Sequence, residues 1–101
     1  MRKITQVEAK KIMDSGNDVY ILDVREPDEL YEGYIENSVL IPLDELKNRA
    51  ESELTDKQKT LLVYCRSGKR SREAAELLDD MGYKDVLDFG GILDWPFDLI
   101  I

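Results

Sequence analysis

One seven-residue segment combines a nucleophile with positive charge. It begins at the only cysteine of the chain and reads Cys65-Arg66-Ser67-Gly68-Lys69-Arg70-Ser71; we call it the cysteine loop. Residues 65–72 contain four cations and no acid, although the whole chain has a formal net charge of -8. Glycine and serine leave room for backbone N–H groups to converge on the sulfur, and both amides and cations favour a thiolate. The segment therefore predicts an electropositive turn that holds an anion beside a readily ionised thiol.

The absence of histidine narrows the chemistry that this thiol can perform. The chain has one cysteine and no histidine, which excludes Cys-His and Ser-His catalytic pairs and the usual zinc ligand sets. We therefore expect no metal and no cofactor, and a nucleophile that is activated by its electrostatic surroundings alone. A lone cysteine at the end of a strand is often an inert buried thiol. The adjoining glycine, serines and cations favour a functional thiol instead.

Length and composition limit the classes of protein to which this chain can belong. A chain of 101 residues forms one domain, so we assign residues 1–101 to a single unit. Its sequence pI near 4.5 argues against nucleic-acid binding. No stretch approaches the roughly 18 apolar residues of a membrane span, so we expect no membrane insertion. Charged residues in positions 1–13 interrupt any signal-peptide core, which predicts a cytoplasmic protein.

The hydrophobic pattern predicts alternating helices and strands. Thr5 and Glu8 have the spacing of a capping box before a helical stripe that ends at Gly16. Continuous apolar runs bounded by polar residues are typical of strands that are covered on both faces. The predicted helices span residues 6–15, 27–31 and 71–81, with a further helical face on Leu43, Leu46 and Ala50, and the predicted strands span residues 19–22, 39–41, 60–64 and 86–87.

This alternation predicts an α/β fold with a central, mostly parallel β-sheet flanked by helices. Binding and catalytic sites in such sheets lie at the carboxyl ends of the strands. Cys65 directly follows the predicted strand 60–64, so the cysteine loop lies at such an end.

Three blocks of the sequence resemble the rhodanese family of sulfurtransferases. They are residues 21–26 (Ile-Leu-Asp-Val-Arg-Glu), the cysteine loop, and a closing segment with Gly82-Tyr83, Gly90-Gly91-Ile92 and Trp95. The resemblance implies a single-domain rhodanese fold with helices on both faces of the sheet. It also implies ping-pong chemistry, in which Cys65 takes the outer sulfur of thiosulfate or a similar anionic donor, holds it as a persulfide, and passes it to cyanide or a thiol.

The resemblance also assigns roles to residues. Cys65 is the expected catalytic residue, and Asp23 and Arg25 are expected to support the site, either as a salt bridge that holds loops or through substrate contact. Tyr34 replaces a histidine of many relatives, and Asn37-Ser38 replaces a Gly-Ala pair. The expected substrate-binding residues are Arg66, Ser67, Gly68, Lys69, Arg70 and Ser71.

Two other functions remain open on the sequence. A small domain with an exposed loop is also compatible with a persulfide relay or a binding module for a protein partner. Cysteine-dependent phosphatases and related arsenate reductases place an arginine after Cys and five further residues. Here only four residues separate Cys65 from Arg70, and Ser71 occupies the next position, which disfavours a phosphate site.

Overall fold

Five strands form one parallel sheet at the centre of the computed structural model, which describes residues 1–101. Every neighbouring pair is parallel, in the order β1-β5-β4-β2-β3. The prediction of a mostly parallel α/β sheet is therefore confirmed. The strands are β1 (Arg2–Lys3), β2 (Tyr20–Asp23), β3 (Val39–Leu40), β4 (Leu61–Cys65) and β5 (Val86–Gly91).

Helices and short 3₁₀ turns connect the strands. The predicted capping box starts the first helix: the Glu8 amide donates to Thr5 Oγ1 at 3.1 Å, and the Thr5 amide donates to Glu8 Oε1 at 3.0 Å. We call Pro27–Glu32 the acidic 3₁₀ helix, because it contains three carboxylates. The α-helices are α1 (Gln6–Asp14), α2 (Leu46–Glu53) and α3 (Lys69–Asp80), and the other 3₁₀ turns are Leu43–Glu45 and Ile92–Asp94.

The central strand β4 is buried on both faces. Leu61, Val63 and Cys65 join an apolar cluster with residues of α2 and α3, whereas Leu62 and Tyr64 join a second cluster. Successive side chains of a strand point to opposite faces, so the two clusters cover opposite faces of the sheet. This arrangement confirms the predicted helices on both faces and explains the unbroken apolar run at residues 61–64.

The boundaries near the cysteine loop differ from those predicted. Helix α3 begins at Lys69, two residues before Ser71, because Gly68 adopts a φ of 102° at the N-cap and turns the chain directly into the helix. Strand β5 continues through Gly90 and Gly91 instead of ending near residue 87. Strand β1 was not predicted, since its two residues are exposed and carry no apolar pattern.

The segment that follows the acidic 3₁₀ helix carries the departures from the family pattern. Asn37 has a φ of 69°, a left-handed conformation that asparagine tolerates better than most residues, so it can stand where relatives have glycine. Tyr34 pairs through its backbone with Ile100 of the C-terminal tail.

Trp95 is buried against Phe89 at a centroid distance of 5.4 Å. No helix of the protein has both the length and the apolar character that a bilayer crossing requires.

Candidate active site

Cys65 is the last residue of the central strand β4, at the carboxyl edge of the sheet. Its register partner on β5 is Gly91. A Cβ at Gly91 would overlap the carbonyl group of Arg66, so only glycine lets β5 approach the start of the cysteine loop this closely. The Leu93 amide donates to the same carbonyl oxygen at 3.1 Å. The Gly90-Gly91 segment therefore packs directly against the start of the cysteine loop.

Two backbone amides converge on the sulfur atom. The N–H group of Gly68 lies 3.0 Å from Cys65 Sγ, and that of Ser71 lies 3.3 Å from it. Both belong to the N-terminus of α3, where four amides lack intrahelical acceptors and the helix dipole favours negative charge. The arrangement places two N–H donors and a helix N-terminus at the sulfur atom, with no side-chain base in contact with it.

Other amides of the cysteine loop have no acceptor within the protein. These are the N–H groups of Arg66, Ser67, Lys69 and Arg70. The side chain of Cys65 is itself fully buried, with a relative exposure of 0%. The unpartnered amides of the loop are available to an anion that binds beside the sulfur.

A groove of about 650 Å³ adjoins the cysteine loop. Ser67, Gly68, Gly90 and Gly91 line this groove. The start of α1 also lines it, and there Gln6 Nε2 donates to the Gly91 carbonyl oxygen at 2.7 Å. The groove is therefore open to small molecules beside the loop that covers the sulfur.

Two of the four cations in residues 65–72 are paired with acids that are distant in sequence. Arg70 makes a bidentate contact with Glu29, at 2.7 Å and 2.8 Å. Arg66 Nε lies 3.1 Å from Glu32 Oε1. Both carboxylates belong to the acidic 3₁₀ helix. The expected four-cation excess is thus partly neutralised, while Lys69 is exposed and forms no ion pair.

Asp23 and Arg25 form a buried ion pair near the loop. Arg25 Nη2 lies 2.8 Å from Asp23 Oδ2, and both side chains are almost completely inaccessible. The guanidinium also donates to the carbonyl oxygens of Glu29 at 3.2 Å and of Gly33 at 2.9 Å. Of the two roles expected for this pair, the geometry favours the salt bridge that holds a loop, because the guanidinium binds the acidic 3₁₀ helix at Glu29 and at its C-cap Gly33.

Asp88 is a polar residue of the site that the sequence analysis missed. It is buried on β5, and its Oδ1 accepts from Ser71 Oγ at 2.8 Å and from the Gly90 amide at 2.9 Å. Because the Ser71 amide donates to Cys65, Asp88 anchors one of the two groups that hold the sulfur. In the sequence, Asp88 could have been recognised as a single acid inside the apolar run Val86-Leu87-Asp88-Phe89. No group of three or more acidic or thiol side chains is placed to hold a metal ion.

The sequence profile of the rhodanese-like domain matches residues 5–96, and thus includes the cysteine loop and both strands beside it. The chain belongs to the rhodanese family. Thiosulfate sulfurtransferase PspE of Escherichia coli (strain K12) is 38% identical over 73 residues, 72% of this chain and 70% of that protein. Thiosulfate sulfurtransferase GlpE of Coxiella burnetii (strain RSA 331 / Henzerling II) is 34% identical over 95 residues, 93% of this chain and 86% of that protein.

A solved rhodanese structure supports the same assignment. The rhodanese-like domain protein from Staphylococcus aureus matches with a TM-score of 0.86 and 33% identity, covering 100% of this chain and 98% of that one. The sequence expectation of a rhodanese fold is confirmed. Together with the named sulfurtransferases, membership in this family supports sulfur transfer in general.

Replacing Ser71 with alanine should lower the free energy of unfolding by about 1–3 kcal/mol, because buried Asp88 loses one of its donors. Denaturant unfolding at neutral pH measures the loss. The matched control is Ser52→Ala, an exposed helical serine whose hydroxyl bonds only to its own helix, with an expected change within about 0.5 kcal/mol. Equal losses in the two variants would contradict the anchoring role of Ser71.

The carboxyl group of Glu29 should titrate far below its ordinary range. The hydrogen bonds from Arg70 lower the pKa of Glu29 from 4.5 to about 2. A depressed pKa means that the ion pair stabilises the fold at neutral pH and loses this effect as the pH falls from about 4.5 through about 2. An NMR titration of the side-chain carboxyl carbon of Glu29 measures the midpoint.

Arg70→Gln should move that midpoint back towards 4.5. Arg72→Gln is the matched control, since it removes the same charge from the same helix but its ion pair is with Glu76. A midpoint near 4.5 in the unmodified protein would refute the strong Arg70–Glu29 contact.

Proposed function

We propose that the chain is a sulfurtransferase that moves sulfane sulfur from thiosulfate or a similar donor to a thiophilic acceptor through a persulfide on Cys65. The observation that carries the proposal is the pair of amides directed at Cys65 Sγ, from Gly68 and Ser71. Such donors stabilise both a thiolate and the negative charge of a persulfide. Membership in a family with named thiosulfate sulfurtransferases supports the choice of donor.

In the first half-reaction, the Cys65 thiolate attacks the outer sulfur of thiosulfate. A new S–S bond forms at Cys65, the S–S bond of thiosulfate breaks, and sulfite leaves with the electron pair. One thiolate and one thiosulfate dianion thus give one persulfide anion and one sulfite dianion. No proton moves, so the chain needs no general base, which agrees with its lack of histidine.

In the second half-reaction, a nucleophilic acceptor attacks the outer sulfur of the persulfide. Cyanide takes that sulfur to become thiocyanate, and a thiolate takes it to become a new persulfide; in either case the bonding electrons return to Cys65 as a thiolate. The amides of Arg66, Ser67, Lys69 and Arg70 have no acceptor in the protein and are suited to bind the outer sulfur. Lys69 is the free cation that attracts the donor.

A protein that accepts the persulfide sulfur is the second candidate partner. The groove beside the cysteine loop is bounded by α1 and by Gly90-Gly91, with no inserted segment to enclose it. An open wall of this kind allows a thiol carried on a larger molecule to reach the loop. In this version of the proposal, the same persulfide chemistry serves as a relay to a protein partner.

Intact mass spectrometry after treatment with thiosulfate should show a gain of about 32 Da, the mass of one added sulfur atom. Treatment with cyanide should then remove the extra mass. Cys65→Ser should show no gain, because the hydroxyl group is not ionised at neutral pH. A full gain of mass in Cys65→Ser would refute the assignment of the nucleophile.

The fold of Cys65→Ser is the necessary control. The substitution changes little volume, and the hydroxyl oxygen that replaces the sulfur can accept the same two amide hydrogen bonds. Its far-ultraviolet circular dichroism and thermal transition should therefore resemble those of the parent. A folded but inactive variant supports the chemical role of the thiol.

The relay can be separated from transfer to small molecules by following the loss of the added sulfur. Persulfidated protein is mixed either with a small thiol or with candidate acceptor proteins, and the decay of the extra mass is timed. Faster discharge to a protein at equal thiol concentration supports the relay. Equal or slower discharge to every protein supports transfer to a small acceptor instead.

A further inference from the structure

The cations of the cysteine loop differ in how far their charge is neutralised. Arg70 is held by two hydrogen bonds to Glu29, and the two side chains are only 32% and 19% exposed. Arg66 is paired with Glu32 at the surface, at 3.1 Å. Lys69 has no carboxylate partner. The loop therefore presents one free cation and two guanidinium groups that already face an anion.

The carboxylate that pairs with Arg70 is held in place by further bonds within the protein. The backbone carbonyl of Glu29 accepts from buried Arg25 at 3.2 Å, and its side chain also accepts from the Glu26 amide at 2.7 Å. The hydrogen bonds from Arg70 lower the pKa of Glu29, so the ion pair persists well below the neutral range. Neutralisation of Arg70 is thus built into the fold, whereas Glu32 neutralises Arg66 through one contact at the surface.

The arginine–carboxylate pairs weaken the electrostatic attraction of the loop for sulfur donors, and the effect depends on the charge of the donor. The Coulomb attraction between a cation and a substrate scales with the charge of the substrate. A carboxylate beside the cation cancels most of that attraction, and a dianion loses twice as much of it as a monoanion. A loop with free Arg66 and Arg70 would favour a dianion such as thiosulfate, whereas the paired loop reduces that preference.

We propose that Glu29 and Glu32 determine donor specificity: by pairing Arg70 and Arg66, they lower the preference of the site for dianionic thiosulfate relative to a monoanionic low-molecular-weight persulfide. The inference rests on the proposed function of Cys65. With the persulfide donor, the Cys65 thiolate attacks the outer sulfur of R–S–S⁻, the S–S bond of the donor breaks, and R–S⁻ leaves with the electron pair. One thiolate and one persulfide anion thus give the persulfide anion of Cys65 and a new thiolate, so atoms and charge balance and no proton moves.

The test uses Glu32→Gln, because this pair is at the surface and the substitution removes one charge without disturbing the core. Single-turnover persulfide formation is followed by intact mass, with thiosulfate and with 2-hydroxyethyl persulfide as donors, at low ionic strength. Glu32→Gln should raise kcat/KM for thiosulfate about threefold, the range open to one surface ion pair, and change the persulfide reaction less. Added salt should remove most of the gain.

Glu36→Gln is the matched control. Glu36 is exposed, forms no ion pair, and lies outside the acidic 3₁₀ helix, yet its substitution changes the net charge by the same amount. It should leave the ratio of the two kcat/KM values unchanged. Glu29→Gln should shift that ratio in the same direction as Glu32→Gln where it folds, which its thermal transition reports.

The outcomes separate the inference from the function on which it rests. An unchanged donor ratio in Glu32→Gln, or the same shift in Glu32→Gln and Glu36→Gln, overturns the specificity role while Cys65 still gains sulfur. Failure of Cys65 to gain mass from either donor refutes the sulfurtransferase function itself. A thiosulfate-selective gain in Glu32→Gln alone supports the proposal.

Discussion

Two backbone N–H groups that meet at one sulfur atom set the geometry on which the site depends. Gly68 and Ser71 can both donate to Cys65 only because β4 passes into α3 through three residues, with Gly68 in a left-handed conformation. A longer connection would carry the helix N-terminus away from the strand end. The burial of β4 between two apolar clusters then fixes the position of the sulfur relative to these donors. The convergence of two N–H donors on the sulfur is thus a consequence of the strand-to-helix junction and of the core beneath it.

The acidic 3₁₀ helix is the second element that the site requires, and a buried charge holds it. Arg25 is fully buried, a costly position that its ion pair with Asp23 and its bonds to backbone carbonyls offset. Those bonds orient the acidic 3₁₀ helix so that Glu29 and Glu32 face the start of α3. Removing either partner of the buried pair would leave an uncompensated charge and would also release the acids that neutralise the cysteine loop. Stability and local electrostatics are therefore coupled through Arg25.

The sequence predicted those features that depend on local patterns. The Thr5–Glu8 capping box, the buried run before Cys65 and the alternation of helices and strands all depend on neighbours within a few residues, and the structure contains each of them. The partner of Arg70 could not be predicted in this way, because Glu29 is 41 positions distant and its approach depends on the packing of a different strand connection. The same limit hid Asp88, which contacts Ser71 across 17 positions. The charge of the loop was therefore overestimated from composition, although its position in the fold was predicted correctly.

Burial of Cys65 is compatible with the proposed sulfur transfer because the cysteine loop supplies N–H donors for an added sulfur atom. Gly68 and Ser71 already donate to the thiol sulfur, whereas four neighbouring amides have no acceptor, so an added sulfur atom finds donors that cost no existing bond. At the Ser71 end of the loop, the Ser71 hydroxyl donates to Asp88, and Arg70 is paired with Glu29. The Arg66–Gly68 end is bound through the Arg66 carbonyl, the surface ion pair of Arg66, and the Gly68 carbonyl, which accepts from Ser71 Oγ at 3.1 Å and from the Arg72 amide at 3.3 Å. Both ends of the cysteine loop are therefore held in place beside the groove that Ser67 and Gly68 line.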